Sequence, residues 1–179
     1  MRKLNAVISP IILVLFIVHG VLGAFNLMGT GSVTTKVLSQ TMLGLIAVHT
    51  LIGCILTGQT LHILRKSGAG YFRDNLLFWA RRISGFLIMA LIFFHVTAFS
   101  GVSADNYRLP LFDTFRLITQ IFLVVSVAFH VITNAKPMLI SFGIKKLKPR
   151  VGDILFWMSA LMLFMAAAFI VYYLRWRAV

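Results

Sequence analysis

The sequence predicts an all-α fold: an integral membrane bundle of five transmembrane helices. Three observations carry that expectation. Of the 179 residues, 60% are apolar and only 12% are charged, against roughly 45–50% and about 25% in soluble domains. The apolar residues fall into five runs, each long enough for the roughly 20 residues that a hydrocarbon core of about 30 Å requires. Most cations lie between or at the ends of those runs, and a run buried in lipid satisfies its own backbone hydrogen bonds as a helix.

Taken in order, the spans are expected at about 5–28, 38–63, 80–101, 115–140 and 153–174. The first follows Met1-Arg2-Lys3, and its run from Leu4 to Met28 is too long for the core of a cleaved signal, so it reads as a retained helix. Gly29-Thr30-Gly31-Ser32 ends it. The second holds the single cysteine, Cys54, which has no disulfide partner, and gives way to Ser67-Gly68-Ala69-Gly70. The third starts at Arg81 and Arg82, whose long side chains can snorkel, and Gly101 to Pro110 separate it from the fourth. The fifth span contains no histidine. Residues 1–179 thus read as one membrane domain, with no stretch left for a soluble-substrate active site.

The formal net charge is +13, and its distribution excludes nucleic acid as a partner. Nucleic-acid binders gather their cations on one face of a soluble fold, whereas these sit in short runs at the ends of spans. Arg2, Lys3, Arg65, Lys66, Arg73, Arg81, Arg82, Lys136, Lys145, Lys146, Lys148 and Arg150 lie on one side. Lys36, Arg108, Arg116, Arg175 and Arg177 lie on the other. The excess sets the N-terminus in the cytoplasm and the C-terminus outside, in the cell's inner (cytoplasmic) membrane. Trp79, Trp157 and Trp176 read as interfacial anchors.

Ionisable groups inside a membrane are costly, so each is a functional candidate. His19, His49, His95 and His130 fall one per helix in the first four spans. Counting residues from the span ends, at 1.5 Å each, puts His19 with His95 in an outer layer. His49 and His130 fall in a layer about one turn deeper. Imidazoles at one depth on different helices can face each other across a bundle core, the usual way to hold a six-coordinate haem iron. Gly23 and Gly53 each follow a histidine by four residues, on the same helix face, where they clear space for a flat macrocycle. A hydrogen-bonded packing role is the plain alternative for any one histidine, and small residues at such spacing also pack helices. Zinc or copper fits two separated layers without carboxylates or thiols poorly. His62, three residues before Arg65 at the membrane boundary, reads as an interfacial residue.

With those residues placed, the chain resembles the five-helix, two-haem cytochrome b subunit of the succinate dehydrogenase/fumarate reductase family. The most specific part is Arg82-Ile83-Ser84-Gly85 with His95 ten residues after the glycine. Phe129-His130-Val131-Ile132-Thr133-Asn134, continuing to Ser141-Phe142-Gly143-Ile144, is similar to the family's fourth-span ligand region. His49 with Gly53 is similar to its second span, and His19 matches by position. The resemblance implies two haem b groups with iron axial ligands His19 and His95 (outer) and His49 and His130 (inner). It also implies membrane quinone as substrate, and flavoprotein and iron–sulfur subunits docked on the cytoplasmic side. Arg82 and Ser84 match residues near quinone or a haem propionate. Arg81 and Lys136 are further inner-side propionate candidates, with Arg108 and Arg116 on the outer side. The chain departs from the family in having no glutamate: Ala128 stands where some members carry one implicated in proton transfer, so that role does not carry over. Two other readings share the sequence: a two-haem anchor of a different cytoplasmic flavoprotein oxidoreductase, and a haem-free small transporter or assembly factor.

Overall fold

Each apolar run forms a helix because lipid offers its backbone no other partners. The computed structural model describes residues 1–29, 35–67, 75–99, 112–143 and 147–177. Among these lie five helices: α1 (Arg2–Leu27), α2 (Lys36–Ser67), α3 (Leu76–Phe99), α4 (Thr114–Ser141) and α5 (Leu147–Arg177). All five are long and apolar enough to cross a membrane, the architecture of a multi-pass membrane protein. Most run past the expected spans, because a helix continues into the headgroup region after its apolar stretch has ended. The Gly101–Pro110 connection and the cations Arg73, Arg108, Lys145 and Lys146 used in the orientation count lie outside the described residues.

Helix ends and breaks have local causes. Asp113 caps α4, its carboxylate accepting from the Arg116 N–H at 2.8 Å, which satisfies one of the donors left over at a helix start. Pro137 inside α4 has no N–H to give the Thr133 carbonyl one turn back. That carbonyl accepts instead from Arg81 Nε of α3 at 3.0 Å. At the end of α1 the chain turns through Gly29 at φ +79°, a left-handed conformation that suits glycine. Arg175 of α5 donates to the neighbouring Met28 carbonyl at 2.6 Å.

The helices pack as α2–α1–α5–α4–α3, with α2 and α3 touching sparsely along the remaining seam. Neither α1 with α3 nor α2 with α4 makes an extended backbone contact. The tight core lies on the α5 side. Met158, Met162, Met165, Phe169 and Tyr172 of α5 are all buried, at the alternating four- and three-residue spacing that faces one seam. They meet Ala24 and Leu27 of α1, Val124 of α4, and Phe112 just before α4. Met165 Sδ occupies the place a Cβ on Gly20 would take, so the glycine lets α1 and α5 approach. The outer faces are apolar as well: Phe93 is 65% exposed and Leu163 71%, as expected of surfaces that lie against lipid rather than water.

Candidate functional site

The two hairpins of the bundle are built on one plan. In the first, Ser9 Oγ of α1 lies 3.5 Å from His49 Nδ1 of α2, and Ser39 Oγ of α2 lies 3.4 Å from His19 Nδ1 of α1. In the second, Ser84 Oγ of α3 lies 2.9 Å from His130 Nδ1 of α4, and Gln120 Oε1 of α4 lies 2.7 Å from His95 Nδ1 of α3. Each of the four helices therefore supplies one of these histidines, His19, His49, His95 or His130, and one polar residue that meets the histidine of its hairpin partner. The polar residue precedes the histidine by ten residues in α1, α2 and α4 and by eleven in α3. At 1.5 Å per residue the two levels are about 15 Å apart.

That spacing corrects the layers expected from sequence, which were about one turn apart rather than three. Counting from span ends assumes that neighbouring helices end flush. Here α1 continues eight residues beyond His19, while α2 begins only three residues before Ser39 at the same level. The ends are staggered, and the count inherits the stagger.

Across the hairpins the rings approach each other. The His19 and His95 ring centroids are 6.1 Å apart with planes at 78°, although α1 and α3 make no extended backbone contact. His49, His130 and the Arg82 guanidinium are close enough to interact electrostatically. Gly23 looks onto open space, and the space beside Gly53 holds the Arg82 head, whose Nη1 lies 3.7 Å from where a Cβ would be. A Cβ on Gly85 would lie 3.5 Å from His130 Cε1, so α3 has no side chain in the volume beside that ring.

The hydrogen bonds bear on which nitrogen of each ring is available. The hydroxyls of Ser9, Ser39 and Ser84 lie 2.7, 2.7 and 3.2 Å from the carbonyls of Asn5, Thr35 and Arg81. A hydroxyl has one hydrogen, so Ser9 and Ser39, whose carbonyl contacts are much the shorter, meet their imidazoles as acceptors, whereas Ser84 lies nearer to His130 Nδ1 than to the Arg81 carbonyl. Gln120 donates its amide hydrogen to Thr119 Oγ1 and presents its carbonyl to His95. His95 Nδ1, facing a carbonyl oxygen, therefore carries the proton, which leaves its Nε2 a lone pair, and Ser9, Ser39 and Ser84 engage Nδ1 of the other three rings. A neutral imidazole whose second nitrogen is held by an outer partner is the usual state of a metal-ligating histidine.

No family model, curated protein or solved structure matches this chain. The site is therefore judged on its own geometry. Among the described residues no group of three or more His, Cys, Asp or Glu is placed to hold a metal ion, so a tetrahedral protein-only site is disfavoured. Two opposed imidazoles suit a metal whose other positions come from a macrocycle. With a metal–imidazole bond of about 2.0–2.1 Å, and the nitrogen about 1.1 Å from its ring centre, the centroids of two axial rings stand about 6.3 Å apart. The His19–His95 separation of 6.1 Å fits that requirement.

The other residues singled out from sequence divide in two. Ser84 is 4% exposed and sits directly behind His130. Arg82 lies at the same level, its guanidinium 5.2 Å from the Phe78 ring centre, with a buried Nε that has no hydrogen-bond partner among the described residues. Arg81 is engaged with Thr133. Lys136 is exposed, as is His62, and neither is brought to the histidine levels. Ser9, Ser39 and Gln120 were not expected, although their spacing of ten residues before a histidine is visible in the chain. At the His95 end, Phe99 packs 5.0 Å from the His95 ring and leads into a cluster with Phe112 and Phe169, which screens that level from water.

Proposed function

We propose that this chain is a two-haem membrane cytochrome b, the quinone-reactive anchor of a cytoplasmic flavoprotein and iron–sulfur pair of the succinate dehydrogenase/fumarate reductase type. The observation that carries the reading is the set of four histidines, each with Nδ1 engaged within its own hairpin, of which His19 and His95 lie ring to ring at 6.1 Å and His49 and His130 lie within electrostatic reach. His19 and His95 hold the outer haem, and His49 and His130 the inner one. The N-terminus is cytoplasmic, and the membrane is the inner membrane of the cell.

Haem b with imidazole on both axial positions supplies one-electron transfer and offers oxygen or substrate no open site. The chain's own residues do the rest. Ser39 and Gln120 orient the outer pair, and Ser9 and Ser84 the inner pair. The Phe99, Phe112 and Phe169 cluster excludes water from the outer level. Arg82 places a cation beside the inner pair, where a propionate or a quinone oxygen would find its charge. Two levels about 15 Å apart divide a hydrocarbon core of about 30 Å into intervals shorter than the whole.

A reduced-minus-oxidised spectrum of the purified chain, with haem and protein quantified, tests the proposal. Two b-type haems per chain are expected. One haem or none overturns the two-haem assignment. The identity of the co-purifying subunits decides separately between a succinate/fumarate partner and another flavoprotein.

A further inference from the structure

We infer that Gln120 is a positioning residue: it holds the His95 imidazole as an Nε2 donor and lowers the reduction potential of the iron bound there. The inference rests on the two-haem reading and concerns one ligand within it.

Gln120 is completely buried, at 0% exposure, in the second turn of α4. An amide in that position is costly unless its polar atoms are engaged. Both ends of this one are. Nε2 donates to Thr119 Oγ1 at 3.4 Å, and the Thr119 hydroxyl passes its own hydrogen to the Arg116 carbonyl at 2.8 Å. The amide orientation follows from that chain, leaving Oε1 to accept from His95 Nδ1 at 2.7 Å.

The other three histidines lean on serine hydroxyls at 2.9 to 3.5 Å. His95 has the shortest of these four side-chain contacts, and the only one to an amide oxygen. A short bond to a strongly polar acceptor in a low-dielectric site strengthens, and pulling on Nδ1–H makes the opposite nitrogen a better donor to a metal. A better donor favours the ferric state. The Phe99 ring beside His95 screens the bond from competing water.

The test is a potentiometric titration of both haems in the purified, full-length protein, comparing wild type with Gln120→Met and Gln120→Glu. Met keeps the volume and removes the acceptor. One potential is expected to rise by about 59 mV, a tenfold loss of ferric preference for a one-electron couple, while the other stays put. Glu keeps a carbonyl oxygen, so the same haem is expected at or below its wild-type potential. Unmoved potentials in Gln120→Met, or equal shifts at both haems, would overturn the inference, as would a rise in Gln120→Glu. If Gln120→Met does not accumulate, Gln120→Leu, which also removes the acceptor, takes its place with the same expectation and the same refuting result. A wild-type protein without haem removes the functional reading itself, and this inference with it, which is a different result from two haems that ignore Gln120.

Discussion

Replacing Arg81 by methionine is expected to weaken the α3–α4 pairing, and to do so only while residue 137 is proline. Pro137 leaves the Thr133 carbonyl without its helical donor, and Arg81 Nε supplies the replacement across the helix pair at 3.0 Å. Interhelical hydrogen bonds in membranes average about 0.6 kcal/mol and reach about 1.7. A charged donor to an acceptor with no alternative belongs near the top of that range, so Arg81→Met should cost about 1.5 kcal/mol. In a Pro137→Ala background the backbone N–H restored at that position returns to the Thr133 carbonyl, and the same change should cost about 0.5 kcal/mol or less. Unfolding of the four proteins in mild detergent measures the cycle. Equal losses in both backgrounds would show that the proline-freed carbonyl is not what Arg81 serves. A second readout follows from position. Arg81 lies three residues before Ser84 and Thr133 three after His130, so the contact also steadies the register that holds Ser84 at 2.9 Å from His130 Nδ1.

Two further outcomes concern the histidine levels. His95→Ala or His19→Ala is expected to remove about half of the b-type absorbance per chain and leave the remainder intact, because the levels stand about 15 Å apart; loss of all the haem, or of none, contradicts the pairing. Gly85→Ala should retain both haems, since its Cβ would meet His130 Cε1 at an ordinary 3.5 Å, whereas Gly85→Leu drives a branched side chain into that ring. Haem-to-protein ratios checked on both variants should show one haem lost in Gly85→Leu only, and an unchanged ratio there would mean that the volume beside His130 is not needed.

The five helices were legible because their signal is long and one-dimensional: some twenty apolar residues between breakers mean the same thing wherever they occur. Of the pairs that depth counting joins, His19 and His95 lie ring to ring, and His49 and His130 come within electrostatic reach of each other. Their vertical separation was not legible. It depends on how far each helix overshoots its neighbour, and nothing in the run of α1 or α2 states that α1 passes His19 by eight residues while α2 starts three before Ser39. Ser9, Ser39 and Gln120 were overlooked for a related reason. A serine or glutamine in an apolar run acquires meaning only when the facing helix is known, and Ser84 drew notice through the motif around it rather than through its partner. The repeated spacing of about ten residues could have exposed all four, since an antiparallel pair that matches once at each of two levels must carry equal intervals on both strands.

His19, His49, His95 and His130 each meet a polar residue of their own hairpin, and His19 and His95 also approach each other across the two hairpins. Ser9 and Ser39 act within α1 and α2, and Ser84 and Gln120 within α3 and α4, whereas the ring-to-ring approach of His19 and His95 crosses between them. Aiming and meeting are thereby separate events. Each hairpin holds the polar partners of its own two rings, so those contacts do not draw on the other hairpin. The meeting at the His19–His95 level depends on how the two hairpins pack against each other.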